Sequence, residues 1–470
     1  MYEAAKTGVI KINRLSPEFF KELFAVNSPA DVQKLFVKNW RLFQSLIADE
    51  SLPIGTRKMI RDLHERAIKG KLNETNAMKA IPLFYSMTTR GGGNSMISWT
   101  VFNREGIGDN RFSKPRNVGD YADYNLEKEY LKIGNEYFDL LDKSGNQVLT
   151  EMTAKLTGGK VIPWARVDYR TARPIDGKHT FAIVDVGMGN VGTFEKDTIA
   201  KKFGLNSHIS RRLLESLLHY HVEHTGAKPK KVIIALSEDY FDKNGNSIVK
   251  NRYDLEGIQE MFRRELGSHD VFVVPYSRLN IENMHVAVST PDGRKQIERN
   301  DLVLVYNPNK PMHEDLERQI LQHTRIIESR EFAVISDKRN NNSFFLAAKA
   351  YSKHGRVIVP ERGPLITANT QEELHSKLRG IEGKFGRSGA VVKLPRPIEV
   401  DGKALPSALF FNPQSEFQTK AMVRALNKHW SAGARTFVTE ELIHPHSVDG
   451  KKGGLEIRLY YGSKNNNHRR

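Results

Sequence analysis

The chain has 470 residues, a formal net charge of +17 at pH 7 and no cysteine. The absence of cysteine excludes disulfides, thiolate metal sites and cysteine nucleophiles. No run of about 18 apolar residues occurs, and the first residues lack the apolar segment of a signal peptide, so we expect a cytoplasmic protein without a membrane-spanning segment. Because a large positive charge attracts polyanions, nucleic-acid binding stays open.

At roughly 150 residues per domain, the length predicts about three domains. Residues 1–165 are expected to form the first, an accessory α+β region. Two Ser-Pro pairs, at residues 16–17 and 28–29, combine a capping serine with a proline in the first turn and predict helix starts. Further along, the segment EYFDLLDKSGNQVLTEM predicts a β-hairpin that turns at residues 144–146.

Between residues 178 and 335, short apolar runs alternate with helical patterns. Runs such as FAIVDV, KVIIAL and DLVLVY are typical of strands buried on both faces. Their alternation with helices predicts an α/β domain with a largely parallel sheet.

The first of these strands leads into a glycine-rich turn, Gly187-x-Gly189-x-x-Gly192, which is half of a dinucleotide-binding fingerprint. The other half, an acidic residue about twenty positions later, is missing. We therefore interpret the turn as a strand-to-helix crossover and predict no nicotinamide binding there. Of the functions considered for this chain, a nicotinamide oxidoreductase is therefore the least favoured.

Residues 336–470 carry charged side chains on successive predicted strands and at the start of a predicted helix. An Asp-Lys pair precedes a helix, a lysine ends the strand AVVK, two glutamates lie in FVTEELI, and a glutamate and an arginine share one face of the strand LEIRLYY. The candidate site residues are Lys338, Lys393, Glu440, Glu441, Glu456 and Arg458.

This order of Asp-Lys, Val-Val-Lys-x-Pro, Glu-Glu-Leu-Ile and Glu-x-Arg, over about residues 301–462, resembles the ATP-grasp superfamily, especially its glutathione synthetase-like carboxylate–amine ligases. The resemblance implies an α/β and α+β multidomain fold. Residues 178–335 would be the parallel-sheet domain that precedes an ATP-grasp domain. Residues 336–470 would be an ATP-grasp nucleotide-binding domain that is incomplete.

The resemblance also implies roles for the candidate residues. Lys338 and Lys393 would bind nucleotide phosphates as point charges. One of Glu440 and Glu441 would accept hydrogen bonds from the ribose, and Glu456 would complete the nucleotide site. Arg458 would be the catalytic residue, neutralising an acyl phosphate in the transition state.

The implied function is an ATP-dependent ligase that joins a small carboxylate or peptidic substrate to an amine or thiol through an acyl phosphate, with ATP and Mg²⁺ as cofactors. Two features differ from the family. A glycine loop is replaced by a stretch with Gly402 alone, and no strands for a magnesium site follow LYYGSKNNNHRR, so the metal ligands are unknown. The alternative is therefore an impaired ATP-grasp relic or a basic, nucleic-acid-associated binding protein, and the oligomeric state stays open.

Overall fold

The computed structural model describes residues 17–48, 54–89, 95–101, 112–117, 124–158, 163–187, 209–242, 252–267, 270–282, 285–290, 293–306, 312–327, 330–349, 356–396, 398–400, 403–406, 408–444 and 456–462. These residues form a mixed α/β protein with several sheets, some of them parallel. Within these ranges, no helix combines the length and the apolar content that crossing a membrane requires.

Five described helices form the N-terminal part of the fold. They are α1 (Pro17–Phe24), α2 (Pro29–Lys38), α3 (Trp40–Ala48), α4 (Ile54–Ile68) and α5 (Glu74–Thr89). Both predicted helix starts are confirmed, since α1 begins at Pro17 and the Ser28 side chain caps α2 by accepting a hydrogen bond from the Asp31 amide at 3.2 Å. The five helices share one apolar core with Val391 and Leu442, which come much later in the chain.

The remaining helices and the strands follow in chain order. The helices are α6 (Tyr124–Leu156), α7 (Ile209–Thr225), α8 (Arg252–Leu266), α9 (Glu314–His323), α10 (Arg330–Ala333), α11 (Lys338–Lys349), α12 (Gln371–Arg379), α13 (Glu382–Phe385) and α14 (Glu416–Ser431). The strands are β1 (Ser95–Val101), β2 (Phe112–Asn117), β3 (Trp164–Ile175), β4 (Lys178–Gly187), β5 (Val232–Leu236), β6 (Val271–Pro275), β7 (Leu279–Glu282), β8 (His285–Thr290), β9 (Gly293–Gln296), β10 (Leu302–Val305), β11 (Arg325–Ile327), β12 (Val357–Ile358), β13 (Arg362–Thr367), β14 (Ala390–Lys393), β15 (Glu399–Val400), β16 (Lys403–Ala404), β17 (Ala408–Phe411), β18 (Thr436–Glu441) and β19 (Glu456–Gly462).

A six-stranded sheet joins distant parts of the chain in the order β12-β4-β3-β19-β1-β2. The strand β19 lies inside this sheet, where it pairs parallel to β1 and antiparallel to β3. Helix α6 packs on one face through a core that includes Leu141, Tyr169 and Leu459. The sheet therefore contains both the first described strand, β1, and the last, β19.

A four-stranded sheet has the order β11-β10-β5-β6, and all of its strand pairs are parallel. Every residue of β5 and β10 is buried, because side chains cover both faces of the sheet. The parallel sheet predicted from the apolar runs is thus present. The antiparallel strands β7, β8 and β9 form a small sheet beside it.

A second four-stranded sheet is antiparallel and has the order β13-β18-β14-β17. Alternate residues of β14 enter different cores: Ala390 and Val392 pack with α12 and α14, whereas Val391 packs with the N-terminal helices. The buried amide of Gln418 in α14 donates hydrogen bonds to the carbonyls of Leu23, Phe24 and Val26, which fixes α1 against this sheet.

The predicted β-hairpin at residues 144–146 is wrong, because the segment lies inside the continuous helix α6. The Ser144 hydroxyl donates to the Leu141 carbonyl at 2.9 Å and lies 2.8 Å from the Tyr169 hydroxyl. A Cβ atom on Gly145 would lie 2.8 Å from the Tyr169 hydroxyl and would also meet the Tyr461 hydroxyl. The Ser-Gly pair thus permits close contact between helix and sheet rather than a turn.

The sheets also differ from the expected division at residues 165, 178 and 335. Strand β4, expected in the parallel sheet, lies in the six-stranded sheet, and so does β19, expected in the ATP-grasp-like part. The N-terminal helices pack on the antiparallel sheet and share its core. An apolar run shows that a strand is buried but not which strand it pairs with, and this explains the difference.

We predict that Gly145→Ala lowers the free energy of unfolding by about 1–2 kcal/mol. The added methyl group would overpack the contact between α6 and the two tyrosines, and this outweighs the helix propensity gained from alanine. Gly55→Ala in α4 is the matched control, because no atom lies within 4 Å of a Cβ built there. Urea unfolding measures both variants, and equal stability of the two would contradict the close contact.

Candidate functional site

The six-stranded sheet meets the antiparallel four-stranded sheet through polar contacts. The Lys393 ammonium at the end of β14 donates to the Val184 carbonyl of β4 at 3.1 Å. The backbone amide of Lys338, the first residue of α11, donates to the Pro395 carbonyl at 2.9 Å. This junction brings together charged residues from β3, β4, α11, β14, β18 and β19.

A β-bulge in β4 provides the carbonyl that Lys393 binds. Asp168 of β3 pairs with Asp185, but the next residue, Tyr169, pairs with Ile183, so Val184 is the extra residue. A bulged residue leaves the ladder of hydrogen bonds locally interrupted. Within the described ranges, the edge strand β12 pairs with Phe181 and Ala182 and ends before this point. The Val184 carbonyl is therefore free to accept from a side chain.

Three charged residues form a row across neighbouring strands, because Arg458 of β19 pairs with Asp168 of β3 and Asp168 pairs with Asp185 of β4. Arg458 donates to Asp168 through two nitrogens, each at 2.7 Å. Such a bidentate contact is strong and geometrically specific. Arg458 thus holds Asp168 within the sheet.

Arg166 lies on the same face of β3, two residues before Asp168. Its guanidinium is 3.9 Å from the Asp168 carboxylate and 3.8 Å from that of Asp185, which is too long for hydrogen bonds. A Cβ atom on Gly187 would lie 3.2 Å from the Arg166 Nε atom, so glycine leaves room for this side chain at the end of β4. Among the described residues, Arg166 is therefore a cation with donors to spare.

Helix α11 places two polar side chains against the same carboxylate. The Lys338 ammonium forms an ion pair with Asp185, and the Asn341 amide nitrogen lies 3.5 Å from the same carboxylate oxygen. Residues three apart share one face of a helix, which explains why both reach Asp185. The Asn341 Oδ1 atom is buried and has no hydrogen-bond donor among the described residues.

Lys393 and Glu440 form a buried ion pair. In the antiparallel register, Lys393 pairs with Val438 and Val391 pairs with Glu440, so both charged side chains lie on one face of the sheet. Lys393 is 9 % exposed and Glu440 is 1 % exposed. Oxygen Oε2 of Glu440 contacts the lysine, whereas Oε1 has no donor in the part of the chain that the structure describes.

Asp337 extends the charged region at the start of α11. Burial alone would raise the pKa of this carboxyl. Hydrogen bonds from the Arg339 guanidinium and backbone, together with the charges of Arg339 and Arg396, lower the pKa instead. The carboxylate accepts from Arg339 at 2.6 and 3.0 Å and from Arg396 at 3.2 Å. Asp337 thus stays ionised and links α11 to the residues after β14.

We call the charged side chains at this junction the junction cluster. Its members are Arg166, Asp168, Asp185, Asp337, Lys338, Arg339, Lys393, Arg396, Glu440 and Arg458. Six are cations and four are carboxylates, so the described cluster carries an excess of two positive charges. The excess favours an anionic ligand.

Four of the six candidate residues from the sequence lie in the junction cluster: Lys338, Lys393, Glu440 and Arg458. Glu441 does not, because it follows Glu440 on the opposite face of β18 and accepts from the Glu361 amide at 3.3 Å. Glu456 pairs in β19 with Met96 and Arg170, and its side chain lies outside the described residues.

From the sequence, two phosphate-binding lysines without a bound anion would be expected in an open, wet cleft with Arg458 at its rim, because burying an unpaired charge is unfavourable. The surroundings in the structure differ from this expectation. Lys393 and Glu440 are buried, because each neutralises the other and the lysine has a second acceptor in the Val184 carbonyl. Arg458 lies inside the six-stranded sheet rather than at a rim. Residues 188–192 of the glycine-rich turn lie outside the described residues, so the absence of nicotinamide binding stays a prediction.

Sequence reasoning missed Arg166, Asp168, Asp185 and Asn341. A signal existed for the two aspartates, because each interrupts an apolar strand pattern, in WARVDY and in FAIVDV. A charge inside a buried strand needs a partner and therefore marks a polar site. Asn341 gave no such signal, since it is one of three consecutive asparagines.

The comparisons with known proteins add little to this geometry. No family model matches the chain, and no curated protein matches it. Among solved structures, a glutathione synthetase-like effector from Globodera pallida, in its apo form, is 15 % identical, with 69 % of this chain and 72 % of that chain covered and a TM-score of 0.33. A TM-score of this size does not establish a shared fold.

We predict that Lys393→Met lowers the free energy of unfolding by about 3–5 kcal/mol, because it leaves the Glu440 carboxylate buried without its cation. The double variant Lys393→Met/Glu440→Gln should recover most of the loss. Lys155→Met is the matched control, since Lys155 pairs with Glu151 on an exposed helix face and should contribute about 0–1 kcal/mol.

Urea unfolding of the wild type, the single variants Lys393→Met and Glu440→Gln, and the double variant closes this mutant cycle, and Lys155→Met is measured beside them. A double variant no more stable than Lys393→Met would show that the two side chains do not depend on each other. A loss at Lys155 as large as that at Lys393 would show that burial of the pair is unimportant.

Proposed function

We propose that the chain binds ATP at the junction cluster and acts as a carboxylate–amine ligase of the ATP-grasp type. The observation that carries the proposal is the convergence of Lys338 and Lys393 on consecutive residues of β4. Lys338 contacts Asp185, and Lys393 contacts the Val184 carbonyl. These two lysines come from separate elements, and the resemblance to ATP-grasp ligases assigned both of them to phosphate binding.

The chemistry of the cluster fits a nucleotide. Its positive excess suits phosphates, and ammonium groups bind phosphate oxygens without a demand for planar geometry. Glu440 Oε1, a buried acceptor without a described donor, suits a ribose hydroxyl. Lys338 and Lys393 already contact carboxylate groups, so phosphate oxygens would replace Asp185 and Glu440 as their partners.

The described residues fit a magnesium ion less well than they fit a nucleotide. Where the structure describes the chain, no group of three or more histidine, aspartate or glutamate side chains could hold a metal ion. The carboxylates of the junction cluster are paired with lysine and arginine side chains instead. No step of the proposed reaction is therefore assigned to a metal ligand of this chain.

In the proposed reaction, a carboxylate oxygen of the substrate attacks the terminal phosphorus of ATP, ADP leaves, and an amine then displaces phosphate from the acyl phosphate. The lysines would stabilise the charge on the transferred phosphoryl group. Arg166, with its spare donors, would bind the substrate carboxylate. The bidentate contact with Asp168 occupies Arg458, so Arg458 would position Asp168 and the neighbouring Arg166 rather than contact the substrate.

We predict that Lys338→Gln weakens ATP binding about 10- to 100-fold, the loss expected for one charge-assisted hydrogen bond. Isothermal titration measures the affinity of the wild type and the variant. Lys155→Gln, on the exposed face of α6, is the control and should leave the affinity unchanged. Phosphate release with ATP, magnesium and pools of amino acids tests the ligase step separately.

Salt dependence distinguishes the proposed function from nucleic-acid binding. A protein that binds a nucleic-acid backbone through many phosphates loses affinity steeply as salt rises. Failure of the wild type to bind ATP would contradict the whole proposal. If the chain binds ATP but releases no phosphate with any substrate pool, the ligase step is contradicted and the chain is a relic that only binds nucleotides.

A further inference from the structure

Asn341 is a buried amide that lies at the junction cluster without a full set of hydrogen bonds. The residue is 0 % exposed, and its Oδ1 atom has no donor among the described residues. An amide oxygen removed from water without a hydrogen bond destabilises a protein. Buried polar groups are therefore nearly always satisfied, and an exception needs an explanation.

The neighbouring Asn340 shows the contrast. Its amide nitrogen donates to the Val334 carbonyl at 2.9 Å, so this side chain stabilises the turn that leads into α11. The amide nitrogen of Asn341 instead lies 3.5 Å from the Asp185 carboxylate, at the outer limit of a hydrogen bond. A structural role accounts for Asn340 but leaves the Oδ1 atom of Asn341 unexplained.

The orientation of the Asn341 amide follows from its surroundings. Rotating the amide by half a turn would place its oxygen against the Asp185 carboxylate, where two acceptors would repel each other. The nitrogen therefore faces Asp185, and the oxygen points away from it. Lys338, three residues earlier on the same face of α11, holds the other contact with Asp185.

The junction cluster contains a second orphan acceptor, the Oε1 atom of Glu440, which is also buried. Cations bind the anionic part of a ligand, but two unfilled acceptors call for N–H or O–H groups. A fully ionised polyphosphate cannot supply these groups. The ligand that fits the described site carries phosphates and hydrogen-bond donors together.

We propose that Asn341 is a ligand-binding residue whose Oδ1 atom accepts a hydrogen bond from a hydroxyl or amino group on the nucleoside half of the nucleotide. This inference rests on the proposed binding of ATP at the junction cluster and extends it to a residue outside the predicted set. Lys338 then binds phosphate while Asn341, on the same helical face, discriminates a nucleotide from an inorganic polyphosphate.

Asn341→Leu tests the inference, because leucine has nearly the same size and shape but no polar atoms. If Oδ1 is unsatisfied in the free protein, the variant is at least as stable as the wild type, since an orphan polar group has been removed. ATP binding should nevertheless weaken about 5- to 15-fold, whereas tripolyphosphate binding should stay unchanged. Asn340→Leu is the matched control, with lower stability and unchanged affinities for both ligands.

The measurements are thermal unfolding and isothermal titration with ATP, tripolyphosphate, 2′,3′-dideoxy-ATP and purine riboside triphosphate. 2′,3′-Dideoxy-ATP lacks the ribose hydroxyls, and purine riboside triphosphate lacks the amino group of the base. If one of these analogues binds the wild type and Asn341→Leu equally well, the group that it lacks is the donor to Asn341. Lower stability of Asn341→Leu with an unchanged preference for ATP over tripolyphosphate would overturn the inference. If the wild type binds neither ATP nor tripolyphosphate, the proposed function fails, and the stability of Asn341→Leu still decides whether Oδ1 is an orphan.

Discussion

Paired charges stabilise the junction at which the two large sheets of this protein meet. A charge removed from water is strongly unfavourable unless an opposite charge and hydrogen bonds compensate for it. At the junction, Lys393 meets Glu440, Lys338 meets Asp185, and Arg458 meets Asp168. The Lys393–Glu440 pair lies within the antiparallel sheet, the Arg458–Asp168 pair lies within the six-stranded sheet, and Lys338 joins α11 to β4. The Lys393 ammonium also donates to the Val184 carbonyl, so a charge that is paired within one sheet makes the contact with the other.

Local backbone geometry serves the same requirement. The bulge at Val184 supplies a carbonyl for Lys393, and it also turns Asp185 toward the face that carries Asp168. If Val184 were paired in a regular ladder instead of bulged, the alternation of strand side chains would place Asp185 on the apolar face with Ile183 and Tyr169. The one-residue bulge in β4 therefore determines whether the Asp185 carboxylate contributes its charge to the site.

Much of the local structure could be predicted from the sequence. The capped helix starts and the apolar runs of the parallel sheet depend on neighbouring residues, and the structure contains both. Four residues that were chosen from their order along the chain also come together at the junction. The hairpin was wrong because Ser144 and Gly145 favour a turn locally, whereas their contacts with Tyr169 decide otherwise. Asn341 was missed because its significance depends on Asp185, which is far away in sequence.

The placement of β19 has a consequence for synthesis of the chain. Strand β19 begins about 350 residues after β1 ends, yet it lies between β1 and β3. At about 5–20 residues per second, a ribosome needs roughly 20–70 seconds to make this interval. During that time, β1 and β3 have open edges that could pair with other chains. The six-stranded sheet therefore cannot close during the synthesis of this interval.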